Sequence, residues 1–240
     1  MKIPPGFIID QLKREQEKKQ REQVANCILF RGLPEQQRTT LAGRARIRTF
    51  AKGEIIFRMG DSGDCLMAVL AGRVRISVAS PEGREMVLAI LGPDEILGEI
   101  TVLDGKERTA DATALDACTL AILDRREVLS FLERDPSAWL HVVEILCARL
   151  RNTDQHIAEI TLLDVPARIA STLLRLIEQG EPMSRQVKIS QSALGQLVGA
   201  TRESVNKCLA EWQRSGIVQV QSSLITVANR AALERLAQPD

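Results

Sequence analysis

The chain has 240 residues, 45% hydrophobic and 26% charged, with 32 Lys and Arg against 31 Asp and Glu. That length suits one large or two modest domains of about 100–150 residues each, with the composition of an ordinary soluble protein. Aromatics are only 3% and Tyr is absent, which argues against stacking platforms for single-stranded nucleic acid; no apolar run reaches the roughly 18 residues of a membrane span.

Met1-Lys2-Ile3-Pro4-Pro5 lacks a signal-peptide core, so a cytoplasmic protein is expected, with no membrane partner. Residues 1–25 form a charged N-terminal extension that reads as a solvated or frayed helix around Phe7-Ile8-Ile9. Cys27 to Leu41 looks like a helical pair, with Gly32-Leu33-Pro34-Glu35 starting the second helix and Pro in its first turn. From Ile47 to Leu123 the pattern turns to short β-type runs: 53–57, 66–70, 74–78, 86–91 and 118–123. Turns such as Gly60-Asp61-Ser62-Gly63, Ala71-Gly72, Pro81-Glu82-Gly83 and Gly92-Pro93-Asp94 separate them. Many short strands at regular spacing predict a sandwich, roll or barrel.

One segment interrupts the strands, Leu97-Gly98-Glu99-Ile100-Thr101-Val102-Leu103-Asp104-Gly105-Lys106-Glu107-Arg108-Thr109-Ala110. It holds an acid and a base nine residues apart across a short hydrophobic turn. Gly98 lets backbone approach a ligand closely, and N–H groups at the start of a short helix can face a phosphate. Arg108 can fork onto phosphate oxygens, while Glu99 can accept a hydrogen bond from a ribose hydroxyl. Alone, the same residues could be a surface ion pair.

After Asp135-Pro136 a helix is expected through residue 163. Trp139, Val143, Leu146, Leu150, Thr153, Ile157 and Ile160 step by four and three, the seam of a two-stranded coiled coil. A helix packed on its own domain is the alternative. Thr153 and Asp154 break the apolar seam, so a ligand or register role is expected of them. Leu163-Asp164-Val165-Pro166 then reads as a hinge, with Pro166 placed to start the next helix.

From Val165 onward nine Lys and Arg stand against six Asp and Glu, mild support for a DNA partner. Residues 190–209 have the grammar of a helix-turn-helix: Ser190 caps the first helix, Gly199 ends it, and Thr201 caps the second. Arg202, Glu203, Ser204 and Lys207 face outward at the start of the second helix, able to meet base edges and phosphates in a major groove. Residues 215–220 and 223–227 form a candidate hairpin wing. The five cysteines are scattered and the only imidazoles are His141 and His156. No metal site, iron–sulfur ligation or catalytic group is therefore expected.

In this order the chain from about residue 28 resembles the Crp/Fnr family of bacterial transcription regulators. Leu163-Asp164-Val165-Pro166-Ala167-Arg168-Ile169-Ala170 is similar to the family hinge, and Val198-Gly199-Ala200-Thr201-Arg202-Glu203-Ser204-Val205 to its turn and recognition helix. Within the family the chain is closest to the cyclic-nucleotide-binding, catabolite-activator-like branch, since the N-terminal cysteine cluster of the iron–sulfur sensors is missing. The resemblance implies an α+β chain: the extension 1–25, a β-roll sensor over 26–134, a dimerisation helix over 135–163 and a winged helix-turn-helix over 164–240. It implies a homodimer through residues 139–160, double-stranded DNA and RNA polymerase as partners, and no cofactor beyond an effector, cAMP or cGMP.

By the same resemblance Glu99 binds the ribose 2′-hydroxyl, and Arg108 the cyclic phosphate with Thr109 and the backbone around Gly98 and Ile100. Ile76 and Leu88 wall the purine, and Thr153 reaches the base from the central helix. Arg202 and Glu203 match the base-reading pair, with Ser190, Gln191, Thr201, Ser204 and Lys207 as further DNA contacts. Three positions depart from the pattern. Asp154 stands for a serine that touches adenine from the partner helix, Ala89 for another pocket serine, and Lys207 for a base-reading arginine. An acceptor-only carboxylate suits guanine N–H groups or adenine N6, and Thr109 suits guanine N2, so cAMP and cGMP both stay open. A ligand-independent or redox-sensing regulator of the same fold is the alternative, and an enzyme processing cyclic nucleotides is a remote one.

Overall fold

A computed structural model describes residues 35–81, 85–178 and 185–238, together with 19, 21, 22, 24 and 25. The first helix expected near Cys27 lies outside the described residues. The described chain divides into two compact units: residues up to Val78 with Leu88–Ala148, and Ala79–Val87 with Arg149 onward.

The first unit contains α1 (Glu35–Arg44), β1 (Arg46–Phe50), β2 (Ile55–Phe57), β3 (Cys65–Ala71), β4 (Val74–Ala79) and β5 (Glu85–Leu91). It continues through β6 (Ile96–Leu97), α2 (Glu99–Asp104), β7 (Asp111–Ala114), β8 (Cys118–Asp124) and α3 (Arg125–Arg134) to the first half of α4 (Ala138–Leu162), while Ala79 of β4 and residues 85–87 of β5 fall in the second unit. Two four-stranded sheets form, ordered β1-β8-β3-β6 and β2-β7-β4-β5. Side chains alternate along a strand, and β3 uses both faces. Met67 and Val69 join Phe50, Leu97, Leu120, Val74, Ala112 and Ala114 between the sheets. Leu66, Ala68 and Leu70 pack against Leu41, Val128, Leu132 and Val142 from the helices. Burial on both sides explains the unbroken apolar run. The strands β1, β6 and β7 were not among the expected runs. β7, Asp-Ala-Thr-Ala, buries only Ala112 and Ala114, and small residues carry little hydrophobic signal.

The second unit holds α5 (Val165–Glu178), β9 (Gln186–Lys188), α6 (Gln191–Val198), α7 (Arg202–Arg214), β10 (Val218–Gln221), β11 (Leu224–Val227) and α8 (Arg230–Leu236). Its antiparallel sheet runs β10-β11-β9. Ile169, Leu173, Leu194, Val205, Leu209, Trp212, Ile225 and Leu233 form one core. The helix break expected at Leu163-Asp164 forms. α4 ends at Leu162, and the Asp164 carboxylate accepts from Ala167 N at 2.9 Å, capping α5.

Candidate functional site

The segment between β6 and β7 folds as a tight cassette. Gly98 enters α2 with φ 83° and Gly105 leaves it with φ 73°, its N–H returning to Thr101 O at 3.0 Å. Left-handed backbone at both ends confines the helix to six residues. Arg108 follows and is gripped on all sides. Its N–H donates to Asp61 O at 2.9 Å and its carbonyl accepts from Gly60 N at 2.8 Å. Nη1 donates to Thr101 Oγ1 at 2.7 Å and Gly98 O at 3.2 Å, and Nη2 to Cys65 O at 2.8 Å. The guanidinium lies over the Phe57 ring, 4.4 Å from its centroid. A Cβ on Gly98 would collide with Nη1, so the glycine makes room for the protein's own arginine.

Only 4% of Arg108 is exposed. Its guanidinium hydrogen-bond acceptors are two carbonyls, a hydroxyl and the Cys65 sulfur, all neutral, and Nε is buried with no hydrogen-bond partner. A buried cation held by neutral acceptors carries a charge that none of its hydrogen-bond partners offsets. Glu99, also 4% exposed, opens α2 and borders a small apolar cavity with Leu66, Ile96, Val102 and Val142. Ile100 and Thr109 are exposed beside it. Gly98, Glu99, Ile100, Arg108 and Thr109 are thus brought into one turn. Ile76 is half-buried on β4 opposite Ala112, and Leu88 is exposed on β5. Thr153 and Asp154 are exposed on α4 within the second unit, and the Thr153 hydroxyl donates to Arg149 O at 3.0 Å.

Sequence reasoning missed Phe57, the Cys65 carbonyl and Thr101. The last left a signal, for a hydroxyl inside an apolar turn needs a buried partner. Burial pushes the Cys65 thiol up, against the opposing pull of Arg108, so the sulfur stays a protonated packing group.

In the second unit the expected caps form. Ser190 Oγ accepts from Ala193 N at 3.2 Å and Thr201 Oγ1 from Ser204 N at 3.1 Å. Gly199 takes φ 63° between the helices. A Cβ on Gly195 would stand 2.7 Å from Ala200 O, a close approach that the sequence reading left unused. Arg168 Nη1 donates to Val198 O at 2.9 Å, closing the C-terminal end of α6. The Ser204 hydroxyl lies 3.0 Å from Thr201 Oγ1, and Gln191 Nε2 donates to Ser222 O at 2.9 Å in the β10–β11 turn. Gln213 Oε1 accepts from Val220 N at 3.0 Å, so α7 is tied to the hairpin as well as α6. Ser190, Gln191, Thr201 and Ser204 are engaged locally, while Arg202, Glu203 and Lys207 extend into solvent from α7.

No cluster of His, Cys, Asp and Glu that could hold a metal occurs among the described residues, and none of their helices is long and apolar enough to cross a membrane. A β-roll with a buried arginine in its helical cassette, followed along the chain by a winged helix-turn-helix, defines a regulator made of a sensor and a DNA reader. Comparison with known proteins agrees. Residues 47–135 match the cyclic nucleotide-binding domain family and residues 167–236 the Crp-like helix-turn-helix domain family. The CRP-like cAMP-activated global transcriptional regulator of Mycobacterium tuberculosis is 30% identical over 222 residues, 90% of this chain and 99% of that one. The cyclic AMP receptor protein of Thermus thermophilus is 32% identical over 209 residues, 87% and 96% of the two chains. Among solved structures, the c-di-GMP-responsive global regulator CLP of Xanthomonas campestris superposes with a TM-score of 0.70 at 25% identity, covering 77% of this chain and 94% of that one. The chain belongs to the Crp/Fnr family of DNA-binding transcription regulators, a family of regulators rather than enzymes, and carries a cyclic nucleotide-binding domain.

Proposed function

We propose that this chain is a cyclic-nucleotide-responsive, sequence-specific regulator that binds cAMP, cGMP or both and reads a near-palindromic site as a homodimer. The observation that carries the ligand class is the Arg108 guanidinium, buried among neutral oxygens with its Nε unpaired. A cyclic phosphate supplies the missing negative charge in bidentate form. Glu99 then takes the ribose 2′-hydroxyl, Thr109 and the backbone at Gly98 and Ile100 assist the phosphate, and Ile76 and Leu88 wall the purine. Thr153 and Asp154 complete the base contacts from α4. Asp154, as an acceptor, favours guanine N–H groups or adenine N6.

The dimer reading rests on α4. Val143, Leu150 and Ile157 are 50%, 61% and 58% exposed along one seam, an apolar stripe that a second copy covers through residues 139–160. Two α7 helices then lie one DNA turn apart. Arg202, Glu203 and Lys207 read bases, while Ser190, Gln191, Thr201 and Ser204 set the backbone register. Functionally the chain divides into the extension 1–25, the sensor 26–134, the dimerisation helix 135–163 and the reader 164–240, acting in the cytoplasm with RNA polymerase as a further partner. Ligand shifts the population between arrangements of the readers about Asp164-Val165.

Calorimetric titration with cAMP and cGMP, followed by DNA-binding anisotropy with each nucleotide, tests the reading. Micromolar binding and ligand-dependent DNA affinity, both lost in Arg108→Ala, are expected. Binding of neither nucleotide overturns it. Equal DNA affinity with and without nucleotide supports instead a ligand-independent regulator, which the engagement of Nη1 and Nη2 by the protein itself favours.

A further inference from the structure

The Arg108 fork has two unequal sides. Of its five N–H donors, both on Nη1 are taken, by Thr101 Oγ1 at 2.7 Å and Gly98 O at 3.2 Å. One on Nη2 goes to Cys65 O at 2.8 Å. The second Nη2 donor has only the Cys65 sulfur at 3.5 Å, and Nε has no hydrogen-bond partner at all. Nε and Nη2 share one edge of the planar guanidinium, the edge that matches two oxygens of a phosphate. Among the described residues Thr101 supplies the one side-chain oxygen on the opposite end, and it is 2% exposed. Its hydroxyl donates to Gly98 O at 3.0 Å, which turns an oxygen lone pair toward Nη1. Behind it stands Gly63, where any Cβ would strike the Thr101 side chain, so the loop before β3 leaves Thr101 one place to sit.

We propose that Thr101 is a positioning residue for the anion. It ties down the Nη1 end of Arg108, so that the Nε–Nη2 edge is the one presented to a cyclic phosphate. This rests on the cyclic-nucleotide reading above. The ligand-facing edge is closed to solvent in the described state, so ligand entry opens it. Thr101 makes no contact with the base and acts only through the phosphate, which sets it apart from Thr153 and Asp154.

The test is calorimetry of the full chain with cAMP and with cGMP, in wild type, Thr101→Val, Thr101→Ser and Thr101→Ala, with urea midpoints measured alongside. Valine keeps the shape and removes the oxygen, and alanine removes it without placing a methyl against Nη1. Loss of a hydrogen bond to a charged group predicts affinity weakened roughly tenfold or more in both variants, by the same factor for the two nucleotides. Serine restores wild-type binding. Wild-type affinity in Thr101→Val and Thr101→Ala, or a loss confined to one nucleotide, overturns the proposal and leaves the cyclic-nucleotide reading intact. A loss in Thr101→Ser as deep as in Thr101→Val also overturns it, since the hydroxyl is then not what matters. If wild type binds neither nucleotide, the cyclic-nucleotide reading falls and takes this one with it.

Discussion

Arg108 shows how much a single side chain can demand of its neighbours. Its charge is buried, and its seat is made by Phe57, Cys65, Gly98 and Thr101. Two glycines in left-handed backbone separate the local cost of a substitution from the cost to the site. Gly53 has φ 82° with open space around it, whereas Gly98 has φ 83° with Nη1 in the way. Gly53→Ala is expected to cost about 1–2 kcal/mol in urea unfolding and to leave nucleotide binding unchanged. Gly98→Ala adds the collision, so it is expected to cost about 1–3 kcal/mol more and to abolish binding. Equal binding in the two variants would contradict the geometry. That Glu99 and Arg108 fall in one short segment was legible in the sequence because the segment is local. Cys65 was not, lying 43 residues earlier, and only the pairing of strands reveals that its carbonyl faces the guanidinium.

Among the elements, those with strong patterns were read directly and those held by partners were not. β3 and β8 announced themselves because both of their faces are buried. β1 exposes three of its five residues and owes its strand to five paired positions on β8. The helix caps of the reader were legible because capping is a matter of residue type at one position. Thr201→Ala is expected to cost about 1 kcal/mol. Gly195→Ala crowds Ala200 O and is expected to cost about 1–3 kcal/mol; urea unfolding with a lower midpoint for the glycine variant checks the order. His156 on α4 titrates below its ordinary range, chiefly because it is partly buried, with Arg175 and Arg168 adding to the effect and Glu159 opposing it. Its folded-state pKa is the lower one, so the unfolded chain binds the extra proton. Stability is therefore held above about pH 6.5 and lost as the pH falls toward the folded value. His156→Gln is expected to flatten that part of the melting-temperature profile, measured from pH 7.5 to 5.5. An unchanged slope would assign the acid sensitivity elsewhere.

At the scale of the whole molecule, the exposed seam of α4 makes the solution state a sharp prediction. Leu150→Glu places a charge on the stripe and is expected to give a monomer by sedimentation velocity, with DNA affinity reduced at least about tenfold as the second half-site is lost. A dimer that survives this change would place the interface elsewhere. The β1–β8 ladder, with Arg46 opposite Ile122 and Phe50 opposite Cys118, has a consequence in time. The strand that opens the sensor has its partner in the strand that ends it, and β8 is also the neighbour of β3. On a ribosome, neither early strand can finish its hydrogen bonding until Asp124 has been added. Such long loop closures slow folding, whereas the longest-range strand pairing of the reader, Lys188 on β9 with Leu224 on β11, closes a much shorter stretch of chain. Refolding should then show a fast phase from the reader and a slow one from the sensor. A nascent chain halted before β8 carries two unpaired edges, β1 and β3, and is the form of this protein most prone to aggregate.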